Sequence, residues 1–484
     1  MHTRVLTNGK SLRRILSILI TALSWPSTAL GVPDILEDPL GAQPGRLHTG
    51  SALPDGSLIA CPATIDLSEP LEPGSAIDVA LCNNPQISSS WAGIKIQAGA
   101  LGEARAAYLP TMRVSVSRLS NRTGNSSLSG GSDPIRTGIQ VYGTMNWRLL
   151  DFGERSANNK AASLLLAAAL AAHDASLQKI MSGVIQAYYD SMTAQSHLIA
   201  CKKMAEIAER ILAATKRREA HGAVALSDTL PALTALAKAR LNEARAQGDF
   251  NKSLSMLVQS MGLAPGTALR LPQNLELYRA DDVTELNLWL REAEDKHPSI
   301  RQARAKLAAD QAKITVVRSE GLPSLDATAY ISRNGYPNQG LSNNSQSVTT
   351  AGVSLNLPIF EGFGRTYKIR GAIAQVEQSQ VHLQETTNQI LTEVVKAHAD
   401  ALTSLGSLKA SEQLMAAATQ GLQSSMRRYD RRAADILEVL NSQSSLADAE
   451  QERIRAIAEW HSARLRLLAN SGVLGMADLV QEGK

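Results

Sequence analysis

The 484-residue sequence predicts a mainly α-helical fold with a small β part, built as a duplicated protomer. Three observations predict it. Two strand-like stretches each end in a Gly-rich turn and run directly into a very long helical segment. These stretches and their neighbours match one another at a nearly constant spacing. The second long segment also repeats its apolar residues every seven positions.

The clearest junction is Ser347 to Arg365, SVTTAGVSLNLPIFEGFGR. Val353, Leu355, Leu357 and Ile359 fall on one side of an extended chain, with Ser354 and Asn356 on the other, the period of a strand with one apolar face. Pro358 donates no ladder hydrogen bond and marks the strand end. After Glu361, Gly362 and Gly364 allow a sharp turn into the helix. The same wording occurs earlier as TGIQVYGTMNWRLLDFGER. There Ile139, Val141, Met145, Trp147 and Leu149 oppose Gln140, Tyr142, Thr144, Asn146 and Arg148, and the turn contains Asp151 and Gly153.

Asn146 to Asp151 lies over Asn356 to Glu361 at an offset of 210. Asn84-Pro85 lies over His297-Pro298, Leu109-Pro110 over Leu322-Pro323, and Asp228 over Asp435. A repeat this long is an internal duplication, not a solenoid unit. The expected domains are a first repeat over 76–262, a linker over 263–285, a second repeat over 286–475 and a tail over 476–484.

Residues 1–31 have the character of a signal peptide. Arg4, Lys10, Arg13 and Arg14 precede the short apolar run Ile15 to Leu23, and the small residues Ala29 and Gly31 suit cleavage. The run is too short to span a bilayer. The alternative is a buried N-terminal helix. An N-terminal extension then covers 32–75. The formal charge of +4 resides in the leader, so the mature chain is near neutral, which argues against a nucleic-acid partner. No other 18-residue uncharged apolar run is present, so entry into a membrane would use strands.

Cys61 and Cys82 bracket a Pro-rich segment, and export would favour a disulfide between them, contributing roughly 3 kcal/mol in the chain-entropy model. Two free thiols are the alternative. Cys201 lies in a helical stretch without a second thiol or a ligand-spaced His, and is expected to be a buried small residue.

Ala76 to Ala107 carries a helical pattern ended by Leu109-Pro110. A strand follows at about Thr111 to Ser120, with Met112, Val114 and Val116 on one face. Polar linkers, NRTGNSSLSGGSDP and SRNGYPNQGLSNNSQS, separate the strands of each half. The four strands cannot close a barrel, and an open apolar edge in lipid would leave backbone groups unpaired. Either the sheet packs on a soluble core or several chains pool their strands. Tyr108, Trp147, Phe152, Tyr330, Phe360 and Phe363 gather near strand ends, where aromatic rings suit a membrane interface, although core positions would also suit them.

The rods are Glu154 to Ala220 and Gly364 to Asp430, each about 100 Å long if helical. Ile369, Val376, Leu383, Ile390 and Ala397 recur every seven residues, with Ile373 and Val394 on the alternate seam, which predicts coiled-coil packing. Returning helices follow at Ser227 to Met261 and Ala434 to Asn470. The chain has no HExxH, GxSxG or Cys-x-x-Cys motif, so neither an enzyme nor a cofactor is expected.

The duplicated plan, with NWRLLDFGER and LNLPIFEGFGR at the junctions and ALCNNPQ near the start, resembles the TolC family of bacterial outer-membrane factors over roughly Ile77 to Gly475. CNNP and AAYLP are most similar to its type I secretion branch, related to the adenylate cyclase toxin exporter. The resemblance implies a homotrimer that pools four strands per chain into one twelve-stranded barrel in outer-membrane lipid. The long hairpins would continue that barrel as an α-helical tunnel across the periplasm. It also implies two partners, a periplasmic membrane fusion adaptor and an inner-membrane ABC transporter or proton-driven pump. Cargo would be protein or, alternatively, drugs or metal ions. A trimeric surface adhesin is the more distant alternative.

By the same resemblance HGAVALSDTLPA and YDRRAADILEVL form the periplasmic entrance. Asp435 and Glu438, one turn apart, match the family's ring carboxylates, and Asp228 occupies the corresponding place in the first half. A threefold ring of them would favour cations. Arg431 or Arg432 would bridge to Ser227 or Asp228 on the adjacent hairpin as a latch. The competing account is a solvated tip with ordinary surface ion pairs.

Overall fold

The computed structural model describes residues 38–49, 59, 61, 69–122, 135–221, 226–272, 283–334, 341, 346–431 and 433–475. The expected leader and the tail over 476–484 lie outside them. Residues 38–42 belong to a unit of their own, in which the Ala42 N–H donates to Asp38 Oδ1 at 2.7 Å. Everything below concerns residues 43–484.

After a single helical turn at Arg46–Thr49, the chain runs twice through one series of elements. The first pass is α1 (Pro73–Asn83), α2 (Pro85–Ala106), β1 (Thr111–Arg122), β2 (Ile135–Leu150), α3 (Glu154–Ala220) and α4 (Leu226–Ser260). The second is α5 (Leu286–Lys296), α6 (Pro298–Ser319), β3 (Ser324–Arg333), β4 (Ser347–Asn356), α7 (Gly364–Asp430) and α8 (Ile436–Ser471). Corresponding helices have 11 and 11, 22 and 22, 67 and 67, and 35 and 36 residues.

The single helix expected over 76–107 is two helices. Pro85 excludes the helical conformation at Asn84, which is extended (φ −71°, ψ 122°). The Asn84 side chain then accepts from Gln86 N–H at 2.9 Å and starts α2. His297 makes the same corner in the second half, its Nδ1 accepting from Ser299 N–H at 3.2 Å. The far end of each repeat closes onto its own corner. Gly262 (φ +73°) lies so near that a Cβ there would be 2.7 Å from Asn83 O, and a Cβ on Gly472 (φ +76°) would be 2.9 Å from His297 Cα. Both positions require a left-handed backbone and no side chain.

The rods α3 and α7 pack against α4 and α8 respectively, and both touch α6. In α7 the seven-residue seam is buried from Ile390 through Val394, Ala397, Ala401, Leu408 and Leu422. Ile373, the earlier member of the seam, is exposed on the single chain. One apolar cluster joins α1, α3, α4 and α8 through Ile77, Leu177, Met181, Leu257, Met261 and Leu465. A second joins both hairpins near their far ends through Ala208, Ile211, Ala232, Leu422, Ile436 and Val439. An 18-residue window of α3 is long and apolar enough, by composition alone, to cross a membrane, but half of it is buried inside the protein.

The sheet is wholly antiparallel in the order β1-β2-β3-β4. The β2–β3 ladder joins the two repeats, with an irregularity between Arg148 and Leu150. β1 and β4 are the edges.

Candidate functional site

The cross-strand register puts one kind of chemistry on each face of the sheet. Met112 faces Met145, Val116 faces Val141, Ala327 pairs with both Trp147 and Val353, and Leu325 faces Leu355. These alternate with Ser115, Ser117, Gln140, Tyr142, Thr144, Asn146, Thr328 and Ser354. The apolar side faces outward: Met112 is 76% exposed, Val114 75% and Leu355 69%, whereas Gln140 and Ser332 on the polar side are 2% and 1% exposed. On the polar side Ser117 Oγ donates to Gln140 Oε1 at 3.5 Å, and Arg148 pairs with Asp326 at 3.1 Å. A soluble sheet would bury its apolar side and expose its polar side. This one does the reverse, which is the arrangement of a strand wall with lipid outside and water inside.

Five of the six expected interface aromatics flank that wall at its helical end. Trp147 Nε1–H donates to Tyr108 O at 2.9 Å, Phe152 is exposed, and Phe360 meets Phe363 edge-on at 5.5 Å. Tyr330 does not belong with them. It pairs with Thr144 and Thr350 in the middle of the sheet, and its ring lies 6.4 Å from Tyr142 on the polar side. Strand parity, which places Tyr330 with Ser332 and Thr328, overrides nearness to the loop.

At the first strand-to-rod junction Phe152 (φ 51°) and Gly153 (φ 103°) are successive left-handed residues. The Asp151 carboxylate accepts from Gly153 N–H (3.3 Å), Arg155 N–H (3.0 Å) and Arg155 Nε (2.7 Å). Burial alone would raise this carboxyl, but the donors outweigh it and hold it below the usual carboxylate range. Arg155 in turn donates to Arg148 O at 2.7 Å and Leu149 O at 3.2 Å, and its guanidinium lies 4.8 Å from the Tyr108 ring centre.

The second junction has the same parts in another order. Gly362 (φ 59°) and Phe363 (φ 63°) make the left-handed pair, and Gly364 begins α7. Pro358 lies just beyond β4, and Glu361 pairs with Arg365 at 2.9 Å. Arg365 Nη1 donates to Gly321 O at 3.0 Å, and a Cβ on Gly321 would collide with that guanidinium. Arg155 and Arg365 are junction residues that the motif reading passed over. The offset of 210, which superposes them, was the available signal.

At the far end of the hairpins, Asp435 is the exposed N-cap of α8, and its carbonyl accepts from Glu438 N–H at 3.2 Å. The two acids thus share the first turn of α8. Glu438 is bound to Arg428, 2.6 Å from Nη1, and Arg428 Nη2 also donates to Ala433 O at 3.2 Å. Arg431 is exposed at the end of α7. Arg432 lies outside the described residues. Ser227 and Asp228 sit in the first turn of α4, but their side chains are also outside the description.

Arg218, also unforeseen, ties one hairpin to the other. It reaches Asp430 at 3.4 Å and lies 4.3 Å from the Tyr429 ring centre. Beside it an apolar groove is lined by Ile207, Ile211, Met426, Tyr429, Ile436 and Val439.

Cys61 and Cys82 form a disulfide with Cα atoms 5.6 Å apart. Cys201 is half-buried, its thiol pushed up by burial and by the charge of Glu243. The expectation that no His stands at ligand spacing is wrong, because His197, one helical turn earlier, brings Nε2 to 3.6 Å from the sulfur.

A family profile for outer membrane efflux proteins matches residues 76–263 and 289–473. The chain is 34% identical to Protein CyaE of Bordetella pertussis over 94% of its own length and 95% of that protein. It is 22% identical to Outer membrane protein TolC of Escherichia coli over 82% and 81% of the two chains. Among solved structures, the outer membrane protein VceC of Vibrio cholerae superposes with a TM-score of 0.72 at 18% identity, covering 83% of this chain and 96% of that one. With a matching profile over both repeats and an outward apolar strand wall, the chain belongs to the outer membrane efflux protein family, the TolC-like channels of the bacterial outer membrane whose long helical part lies in the periplasm.

Proposed function

We propose that three copies of this chain form the outer-membrane channel of a type I secretion system, passing polypeptide through a continuous pore without chemistry. One observation carries the reading: the described sheet is amphipathic in the membrane sense yet has two open edges, β1 and β4. An open edge in lipid strands its N–H and C=O groups, at several kcal/mol for each one left unsatisfied. Pairing β4 of one copy with β1 of the next removes all edges, and three four-stranded sheets give a twelve-stranded barrel.

The long hairpins then surround a helical tunnel whose entrance lies at the α3–α4 and α7–α8 turns. Asp435 and Glu438, with Asp228, form its acidic constriction, and Ser227, Arg431 and Arg432 supply latch contacts between neighbouring hairpins. The groove beside Tyr429 suits an apolar helical partner, the membrane fusion adaptor. An inner-membrane ABC transporter supplies the energy. Protein cargo is favoured by the CNNP and AAYLP wording and by the full-length likeness to CyaE.

The test is conductance of the purified mature protein in a planar bilayer, with cross-linking to count copies. Trimers that conduct and prefer cations are expected. A stable water-soluble monomer without conductance would end the reading. Asp435→Asn with Glu438→Gln should lower cation preference, and unchanged selectivity would remove these residues from the constriction.

A further inference from the structure

The outward side of the sheet has an unequal distribution of charge that the pore does not use. In β1 this side carries Met112, Val114, Val116, Arg118, Ser120 and, by register, Arg122, and in β3 it carries Leu325, Ala327, Ala329, Ile331 and Arg333. The register sets Arg118 opposite Ile139 and Arg333 opposite Val141. Ile139 and Val141 are adjacent on the same side of β2, so the two arginines flank one apolar ridge. They stand two strand spacings apart, about 10 Å, with a stagger of one pleat repeat. Both side chains are exposed. Among the residues whose side chains are described they are the only charged ones on this side of the sheet, and no acid there accompanies them. Arg122, opposite Ile135 at the loop end of β1, adds a third arginine at the same strand parity.

Their height is as informative as their charge. Eight residues separate Arg333 from Leu325, about 26 Å along the strand and about 20 Å along the barrel axis at ordinary strand tilt. The aromatic residues Tyr108, Trp147, Phe360 and Phe363 lie at the other, helical end. The apolar band is therefore closed by aromatic rings on the periplasmic side and by arginines, Arg118 and Arg333 among them, on the loop side. A guanidinium at that boundary can extend its stem over the apolar surface and leave its planar donor fork at headgroup height. That fork suits a tetrahedral phosphate, which it can hold through paired N–H donors.

We propose that Arg118 and Arg333 form a binding site for a phosphorylated lipid headgroup in the outer leaflet, with the acyl chains lying along Val116, Ile139, Val141 and Ile331. The inference rests on the channel reading, because it takes the apolar side as the lipid side and the loop end as the cell exterior. Charge complementarity selects the occupant. A zwitterionic lipid offers no net charge to cations without acids, whereas a diphosphorylated glycolipid of the lipid A type supplies one phosphate for Arg118 and one for Arg333. The spacing of about 10 Å across the ridge suits two headgroup phosphates on one molecule.

The test uses the full mature trimer, first shown to insert and conduct, and then probed in detergent by native mass spectrometry and thermal shift. The probes are diphosphoryl lipid A, its dephosphorylated form and phosphatidylcholine. Wild-type protein should retain diphosphoryl lipid A at least tenfold more strongly than either other lipid. R118Q with R333Q should lose at least that tenfold preference, while R118K with R333K should recover part of it. Arg113→Gln, a change on the opposite side of the same strand, should leave the preference unchanged.

Equal retention of the phosphorylated and dephosphorylated lipids by a conducting wild-type trimer overturns this proposal and leaves the channel intact. Undiminished preference in the conducting double glutamine variant also overturns it. A protein that neither inserts nor conducts overturns both readings. The wild-type comparison of lipids requires no variant, so a variant that fails to fold does not spare the proposal.

Discussion

The two halves of the molecule have the same elements in the same order, yet they hold their corners and junctions by different means. At the first corner Asn84 accepts from Gln86 N–H and donates its own amide to Ser260 O at 3.1 Å. At the second, His297 accepts from Ser299 N–H through Nδ1 and is held neutral, its pKa lowered by burial to about 4. At the first junction Asp151 is short enough to bond both the turn and the first helical N–H groups. Glu361, one methylene longer, faces Arg365 from the side. Duplication preserved the backbone path, and each half then found its own side-chain solution.

Substitutions at paired positions will show how far that equivalence extends. The largest effect is expected at Gly262 and Gly472. Alanine at either forces a left-handed backbone and a clash with main-chain or proline-corner atoms, for a combined cost of about 3 kcal/mol, read as a lowered thermal midpoint. Similar losses at both would mean that the corners carry equal load. Reducing the Cys61–Cys82 disulfide, whose partners are 21 residues apart, should cost about 3 kcal/mol by the chain-entropy account. Only the first half should loosen, seen as faster hydrogen exchange in α1 with exchange in α5 unchanged.

Asp151→Ala removes a cap and a charge-assisted bond, about 2 kcal/mol. Glu361→Ala, at a half-exposed pair, should cost under about 1 kcal/mol. Equal costs would show that the shorter side chain is not what distinguishes the junctions. The smallest effect at neutral pH belongs to His297→Asn. The wild-type imidazole has a lowered pKa in the fold, so the unfolded chain takes up a proton that the folded chain refuses as pH falls from about 6.5 to about 4. Stability contributed by neutral His297 is complete above that window and is lost through it. The asparagine variant should match wild type at pH 7.5 and lose less stability at pH 5.

The sequence made the repeats, rods and junction strands legible because each leaves a periodic or positional mark: alternation in β2 and β4, the seven-residue seam of α7, and Gly and Pro at the turns. It did not disclose Arg155 and Arg365 as junction clamps, since their acceptors, Arg148 O and Gly321 O, are main-chain atoms that every residue has. Asn84-Pro85 marks the repeat, but the apolar pattern on both sides of it conceals the helix break there. At the tips, Arg218 and Arg428 find their partners through helix packing across hairpins and across a turn, a relation that local spacing does not encode.

The β2–β3 ladder, where the halves are stitched together, has one further bearing. A wall of six like hairpins would have to repeat every choice six times around its axis. In the proposed trimer, fusing hairpins in unlike pairs reduces that repetition to three, so a thiol bridge or an imidazole can appear at alternate stations only. The covalent link thereby converts a uniform cylinder into one whose circumference can be written in two alternating letters.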